Sequence, residues 1–463
     1  MARPIPVPPS RAIRRASILV CIALVAALSE STPSQATTPS WSFSVAPTHP
    51  TLATEGRIFA AMAAEPDGHS VVLYGGDFSN VSALYGDTWT DDGNGWVPRC
   101  GTPVPGADAP CGPGTRVGHG LASTDDGVIL FGGLVNGDFD SGNGSVVGDT
   151  WRWNGSSWTQ LCADGTCGPA GRFMTTLAGN GPKAVLYGGA IPSQGVTGAD
   201  TWVWDGSTWT QTCGDPLPTP CGPGPRAAAS MAWDGSHFVM FGGIHDVNGA
   251  VAPPNDSTWV FDGTTWSEAC GTDISEPCGP PARELSTMAD AHTTTSGPAA
   301  LLAAGGDLFT GSDPQTFYRD AWAWNGTTWN AVTAPWSAAP LSVPANGDPP
   351  DQTQPIIQVM APRRATCEVE SFGSSPANSA TQLRGTTYLA GIDAFATGRS
   401  TGCAPVAATA PPTPEAVATP EPPGWLVFAK FLVFARVVAF WHFVRFAKVI
   451  VTHRTHAAPR HRR

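Results

Sequence analysis

The side chains of this 463-residue chain that could do chemistry recur at fixed intervals and do not converge in one motif. Cysteines come in close pairs, Cys100/Cys111, Cys162/Cys167, Cys213/Cys221 and Cys270/Cys278, and each pair closes on Cys-Gly-Pro. A disulfide or a zinc site would use such pairs. Zinc calls for four ligands at constrained spacing, whereas these spacings vary and no His accompanies them, so disulfides are expected. Cys367 and Cys403 form a fifth expected pair. Each short-loop disulfide contributes about 2–3 kcal/mol in the chain-entropy model.

Arginines recur as well: Arg57, Arg116, Arg172, Arg226, Arg283 and Arg364 each follow a Gly/Pro-rich stretch. Asp87, Asp149, Asp200, Asp256 and Asp320 each stand shortly before a Trp. An acid repeated in every copy suits an architectural hydrogen bond to a neighbouring strand better than catalysis. No Gly-x-Ser-x-Gly, His-Glu-x-x-His or Walker pattern occurs, and His49, His69, His119, His237, His245 and His292 share no common position. Asn136, Asp138, Asp140 and Gly142 have calcium-loop spacing, but Ser141 takes the glycine place and no Glu closes the loop. No catalytic motif, cofactor or metal site is therefore expected.

The elements that must position these residues repeat about every 55 residues, a period that marks an array of supersecondary units. Apolar runs close on Gly75-Gly76, Gly132-Gly133, Gly188-Gly189, Gly242-Gly243 and Gly305-Gly306. Trp pairs follow at Trp89/Trp96, Trp151/Trp158, Trp202/Trp209, Trp259/Trp266 and Trp322/Trp329. In the third copy, residues 175–177 and 183–187 flank a Gly-Asn-Gly-Pro turn, and residues 201–204 and 208–212 flank Asp205-Gly206. That predicts four antiparallel strands. One such unit cannot bury its tryptophans alone, so the units must stack.

Four apolar residues, Gly-Gly, and spaced aromatics around an Asp-Gly or Asn-Gly turn resemble the kelch repeat, over roughly residues 41–403. The first copy departs from the pattern, with Asp91 where later copies carry Trp153, Trp204, Phe261 and Trp324. The resemblance implies an all-β, six-bladed β-propeller of the galactose oxidase central-domain type, with seven blades as the alternative if residues 335–362 hide a further unit. A sixth unit is expected after Arg364, with residues 387–391 as its degraded Gly-Gly strand and residues 41–45 as its missing fourth strand. Copper-radical oxidases share such a propeller and use tyrosines, paired histidines and a Tyr–Cys crosslink. Here Tyr74, Tyr85, Tyr187, Tyr318 and Tyr388 are the only tyrosines and no Tyr-His dipeptide occurs, which argues against oxidase activity. Some kelch domains hold acidic ligands with arginines around the mouth of the ring, which makes the six arginines candidate ligand-binding residues. The competing expectation pairs each with a neighbouring blade's Asp or carbonyl.

Residues 1–36 read as a signal peptide: Arg11, Arg14 and Arg15 precede an apolar run and a Ser34-Gln35-Ala36 cleavage pattern. Cleavage leaves ten cysteines, an even number for an oxidising compartment. Residues 37–403 form the propeller, residues 404–424 a Pro/Ala/Thr linker, and residues 425–463 a membrane anchor with a basic tail. Residues 425–451 are apolar but carry Lys430, Arg436, His442, Arg445 and Lys448. Their insertion balance is near zero or slightly favourable, and a single-pass span is expected, with the basic end inside. The formal charge of −12 disfavours nucleic acid as a partner. Long variable loops share the face where the disulfide-stapled connections run, and such loops on a rigid frame are where binding sits. The expected function is a secreted, membrane-tethered propeller binding a protein or glycan. An extracellular sugar hydrolase or epimerase, and a structural cell-envelope role, are the alternatives.

Overall fold

The computed structural model describes residues 41–46, 57, 59–78, 83–101, 112–138, 143–194, 196–214, 221–244, 246–247, 250–251, 254–271, 276–290, 301–308, 315–333, 341–343, 356–363, 368–376 and 383–392. They belong to one compact unit and contain strands and turns but no helix. The signal peptide, the linker, the C-terminal anchor, Arg364, Cys111, Cys367 and Cys403 fall outside the described residues.

Four sheets are regular four-stranded antiparallel meanders. The first comprises Ala61–Ala64, Val71–Tyr74, Thr88–Asp91 and Val97–Cys100. The third comprises Thr176–Asn180, Lys183–Tyr187, Thr201–Trp204 and Trp209–Cys213, close to the four strands read from the sequence. The fourth runs through Ser230–Trp233, Phe238–Phe241, Thr258–Phe261 and Trp266–Cys270. Thr287–Asp290, Leu301–Ala304, Ala321–Trp324 and Trp329–Val332 make the fifth.

Two sheets depart from this regular form. The second, Gly120–Thr124, Gly127–Asp138, Asn143–Trp153 and Trp158–Cys162, gains Arg116–Val117 as an additional strand against Leu134 and Val135. The last is assembled from both ends of the described chain: Ile356–Arg363, Glu368–Pro376, Leu383–Ile392, then Trp41–Ala46. Trp41 pairs with Ile392 and Val45 with Tyr388, so the N-terminal strand does complete this sheet. Its innermost strand, however, precedes Arg364, and residues 387–391 lie in its third strand, not its second. Nor do residues 335–362 hide a seventh unit among the described residues. They supply Leu341–Val343, the third strand of a small sheet, and most of Ile356–Arg363.

Neighbouring sheets meet along their first strands in chain order, and Ile356–Arg363 returns to Ala61–Ala64, which gives a propeller-like arrangement. Each interface is a separate apolar core. Tyr74 and Val72 of the first sheet pack on Leu130, Trp153 and Trp158 of the second. Ile129 and Phe131 of the second sheet pack on Leu186, Trp204 and Trp209 of the third. A tryptophan also ties each sheet to the one before: Trp209 Nε1 donates to Thr150 Oγ1, and Trp266 Nε1 to Thr201 Oγ1, both at 2.9 Å. Asp91, which breaks the tryptophan pattern, is buried and accepts from the amides of Gly93 and Gly95 at 2.7 and 3.1 Å. It trades an aromatic contact for a clamp on its own turn.

Candidate ligand-binding face

The first, second, third and fifth sheets carry the same bracket at the end where the variable loops lie. Arg172 donates through Nη1 and Nη2 to both oxygens of Asp200, at 2.7 and 3.0 Å, and through Nη1 to the carbonyl of Gly188 at 3.0 Å. Trp202 Nε1 donates to the same carboxylate at 2.7 Å. Arg57–Asp87, Arg116–Asp149 and Arg283–Asp320 repeat this bidentate geometry. Each arginine joins the first and third strands of its own sheet, so its partner is not a neighbouring sheet's acid. Arg57 and Arg283 also stack over Tyr85 and Tyr318, 4.0 and 4.1 Å from the ring centroids. Although its burial would raise the Asp320 pKa, hydrogen bonds from Arg283 and that residue's charge hold it below the usual carboxylate range.

The fourth sheet departs from this bracket, and one residue must be corrected. Ser257, not Asp256, occupies the register of the other aspartates, and Trp259 Nε1 donates to Ser257 Oγ at 3.0 Å. Arg226 there reaches the carbonyls of Pro223 and Gly242, both at 3.0 Å. All five described arginines of the set are buried. Their guanidinium groups are occupied in holding the frame that presents the loops.

The Gly-Gly pairs explain themselves at this end. Gly189 N donates to the carbonyl of Arg226 at 2.7 Å, and Gly133 and Gly243 make the same bond to Arg172 and Arg283. Gly188 has φ +60°, and a Cβ on it would stand 2.1 Å from the Arg226 carbonyl oxygen. Only glycine permits that approach.

A second repeated device was not legible in the sequence. Phe59, Met174, Ala228 and Leu285, each two residues after the sheet's arginine, have φ between 53° and 57°, and Gly118 in the second sheet has φ 65°. Their backbones link sheet to sheet: Gly118 N to Phe59 O, Met174 N to Gly118 O, Ala228 N to Met174 O and Leu285 N to Ala228 O, at 2.7–3.1 Å. This chain of bonds curves around the axis. Leu84, Val117, Phe173 and Ile244 pack with these side chains into one apolar cluster.

A cavity of about 180 Å³ is lined by residues of the first strands, among them Thr175, Thr176, Ser230, Ser286 and Thr287. A second, of about 90 Å³, continues toward the hairpin end, where Ser123 and Asp290 line it. Away from the axis His119 is buried edge-on to Tyr74, with ring centroids 5.5 Å apart. Burial, and then the charge of Arg116, hold its pKa down to about 3, so it is neutral and an unsuitable proton carrier near pH 7.

The loops themselves diverge. Asp77–Phe78 pairs with Ala83–Leu84, Ala190–Ile191 with Val196–Thr197, and Asp246–Val247 with Ala250–Val251. Asp307–Leu308, Gln315–Phe317 and Leu341–Val343 make a three-stranded sheet, while Gly127–Asp138 and Asn143–Trp153 run on as one long hairpin. Beside them the connections are stapled by Cys162–Cys167, Cys213–Cys221 and Cys270–Cys278. Cys100 is disulfide-bonded as well. These bonds are compatible with an extracellular protein. Among the described residues no three of His, Cys, Asp and Glu come together as a metal-holding group, and no helix is long and apolar enough to cross a membrane. Asp140 and Gly142 of the calcium-like spacing lie outside the described residues.

No family model and no curated protein matches the chain.

Proposed function

We propose that the chain is a secreted kelch-type propeller of six sheets, tethered by residues 425–451, that binds a protein or glycan ligand through its loop-rich face. One observation carries the reading: a similar frame repeats from sheet to sheet, while the loops it supports range from short two-stranded hairpins to a three-stranded sheet and one long hairpin. The buried arginines act in it by fixing the loop bases, and the loop side chains make the contacts. The kelch assignment rests on the Gly-Gly and Asp-Gly spacing, and the count of six includes the five-stranded second sheet and the sheet closed by Trp41–Ala46. The net negative charge of the chain disfavours nucleic acid and anionic lipid, which leaves protein and glycan surfaces as partners.

The test is a glycan and extracellular-protein array probed with residues 37–403. A ligand should be found, and replacing the loop tips 139–142 or 309–314 with a short Asn-Gly turn should weaken its binding while leaving the melting temperature nearly unchanged. Binding that survives replacement of every loop would defeat the reading, as would turnover of a captured sugar.

A further inference from the structure

The three disulfides formed between described cysteines have unlike surroundings. Cys213–Cys221 lies in the apolar core between the third and fourth sheets, and Cys270–Cys278 in the core between the fourth and fifth. Thr201 Oγ1 lies 3.1 and 3.2 Å from the sulfurs of Cys213 and Cys221, and Thr258 Oγ1 lies 3.1 Å from that of Cys278. These four cysteines are 4–7 % exposed. Cys162–Cys167 closes a shorter loop, with a sequence separation of 5 against 8. Cys162 is buried, but Cys167 is partly exposed, and residues 163–166 between them are all exposed.

This exposed loop also holds part of the loop-rich face. Asp164 Oδ1 accepts the amide of Gly148 at 2.6 Å. That amide falls in a bulge of the ladder, since Phe131 pairs with Thr150 and Gly133 with Val147, and Gly148 and Asp149 stand between. Asp149 meets Arg116 in its bracket, and the long hairpin of Gly127–Asp138 and Asn143–Trp153 rises from this point. The staple, and the bonds from Thr166 N and Oγ1 to the Ala163 carbonyl at 3.1 and 2.7 Å, keep the loop in the shape that delivers Asp164. In the Cys270–Cys278 loop, by contrast, Gly271 and Glu276 exchange two backbone bonds, at 2.7 and 3.2 Å, and the loop is braced without its staple.

A thiolate breaks a disulfide by attacking one of its sulfurs, so access decides which bond reacts and at which sulfur. We infer that Cys167 is a site of thiol–disulfide exchange with a small thiol or dithiol, and that opening its bond to Cys162 frees the Gly148 amide and loosens the base of the long hairpin. The thiolate bonds to Cys167 Sγ, the Cys162–Cys167 bond breaks, and Cys162 leaves as a thiolate that takes up a proton. The second sulfur of a dithiol then displaces the first from Cys167, which is protonated in turn. The protein disulfide gains two electrons and the dithiol closes to its own disulfide. The site is independent of any ligand on the loop face.

The test treats the folded, oxidised full chain with dithiothreitol, with timed quenching by iodoacetamide and peptide mass spectrometry. Cys162 and Cys167 should be alkylated roughly tenfold faster or more than Cys213, Cys221, Cys270 and Cys278. Glutathione in place of dithiothreitol should leave its adduct on Cys167. Equal rates for the three bonds, or an adduct on Cys162 instead, overturn the site. Amide hydrogen exchange across residues 143–149 should rise in the double variant Cys162→Ser, Cys167→Ser, and also in Asp164→Ala with the disulfide intact. Exchange that stays at the native rate in either one overturns the link to the hairpin. Should the double variant not fold, the native chain opened by the same dithiothreitol treatment takes its place, read against the same outcomes.

Discussion

The amide of Met174 donates to the carbonyl of Gly118 at 2.7 Å, joining two neighbouring sheets at the axis through two residues that both have positive φ. The bond exists because the backbone takes positive φ at this point in the first five sheets, which turns one amide and one carbonyl toward the neighbours. A non-glycine residue there carries a strain of about 1–2 kcal/mol, sustained by the bonds on either side.

Ala228→Gly should therefore stabilise the protein by up to about 1 kcal/mol, against the usual loss when glycine replaces alanine. Ala184→Gly, in a buried strand, is the control and should destabilise. Gly188→Ala would put a Cβ 2.1 Å from the Arg226 carbonyl oxygen and should cost about 3 kcal/mol or more. Denaturant unfolding of the three variants ranks them.

Arg172 and Asp200 form a buried bidentate pair, with the carboxylate also holding Trp202. Arg172→Ala should cost about 3–5 kcal/mol, because it leaves a desolvated carboxylate. The double variant Arg172→Ala, Asp200→Ala should cost less than the two single changes together. Additive losses in a double-mutant cycle would show that the pair is not coupled.

His119 gives stability a pH dependence. Its folded pKa of about 3 lies below the unfolded value of 6.5, so the unfolded chain takes up the proton first as pH falls. Stability is complete above pH 6.5 and should decline toward pH 3 by up to about 1.4 kcal/mol per pH unit from this group. Asp205, held near pKa 2 by hydrogen bonds from Thr208 and Ser207, titrates below that window. His119→Phe should flatten the profile between pH 6 and 4, measured by urea unfolding at each pH. An unchanged slope would assign it to other groups.

The staples Cys162–Cys167, Cys213–Cys221 and Cys270–Cys278 predict that reduction lowers the melting temperature. Each should contribute about 2–3 kcal/mol. A thiol reagent applied to the unfolded, non-reduced ectodomain should find no free thiol, and four or more would contradict the pairing.

Deleting residues 41–46 leaves Leu383–Ile392 as an open edge. Thermal unfolding should then lose midpoint and cooperativity together, since the sheets depend on neighbour contacts. Equal midpoints for chains starting at residues 37 and 51 would make the strand dispensable.

What the sequence by itself determined is local and periodic. Gly188-Gly189, Asp205-Gly206 and the tryptophan pairs mark the strands because turns and close backbone approaches demand particular residues nearby in the chain. Paired cysteines such as Cys213 and Cys221 were legible for the same reason, being eight residues apart. The tertiary structure alone decided what is brought together through space. Phe59, Met174, Ala228 and Leu285 take positive φ with no glycine to announce it, because the neighbouring sheets hold them there. Tyr74 and Trp158, 84 residues apart, share a core only because the first and second sheets stack.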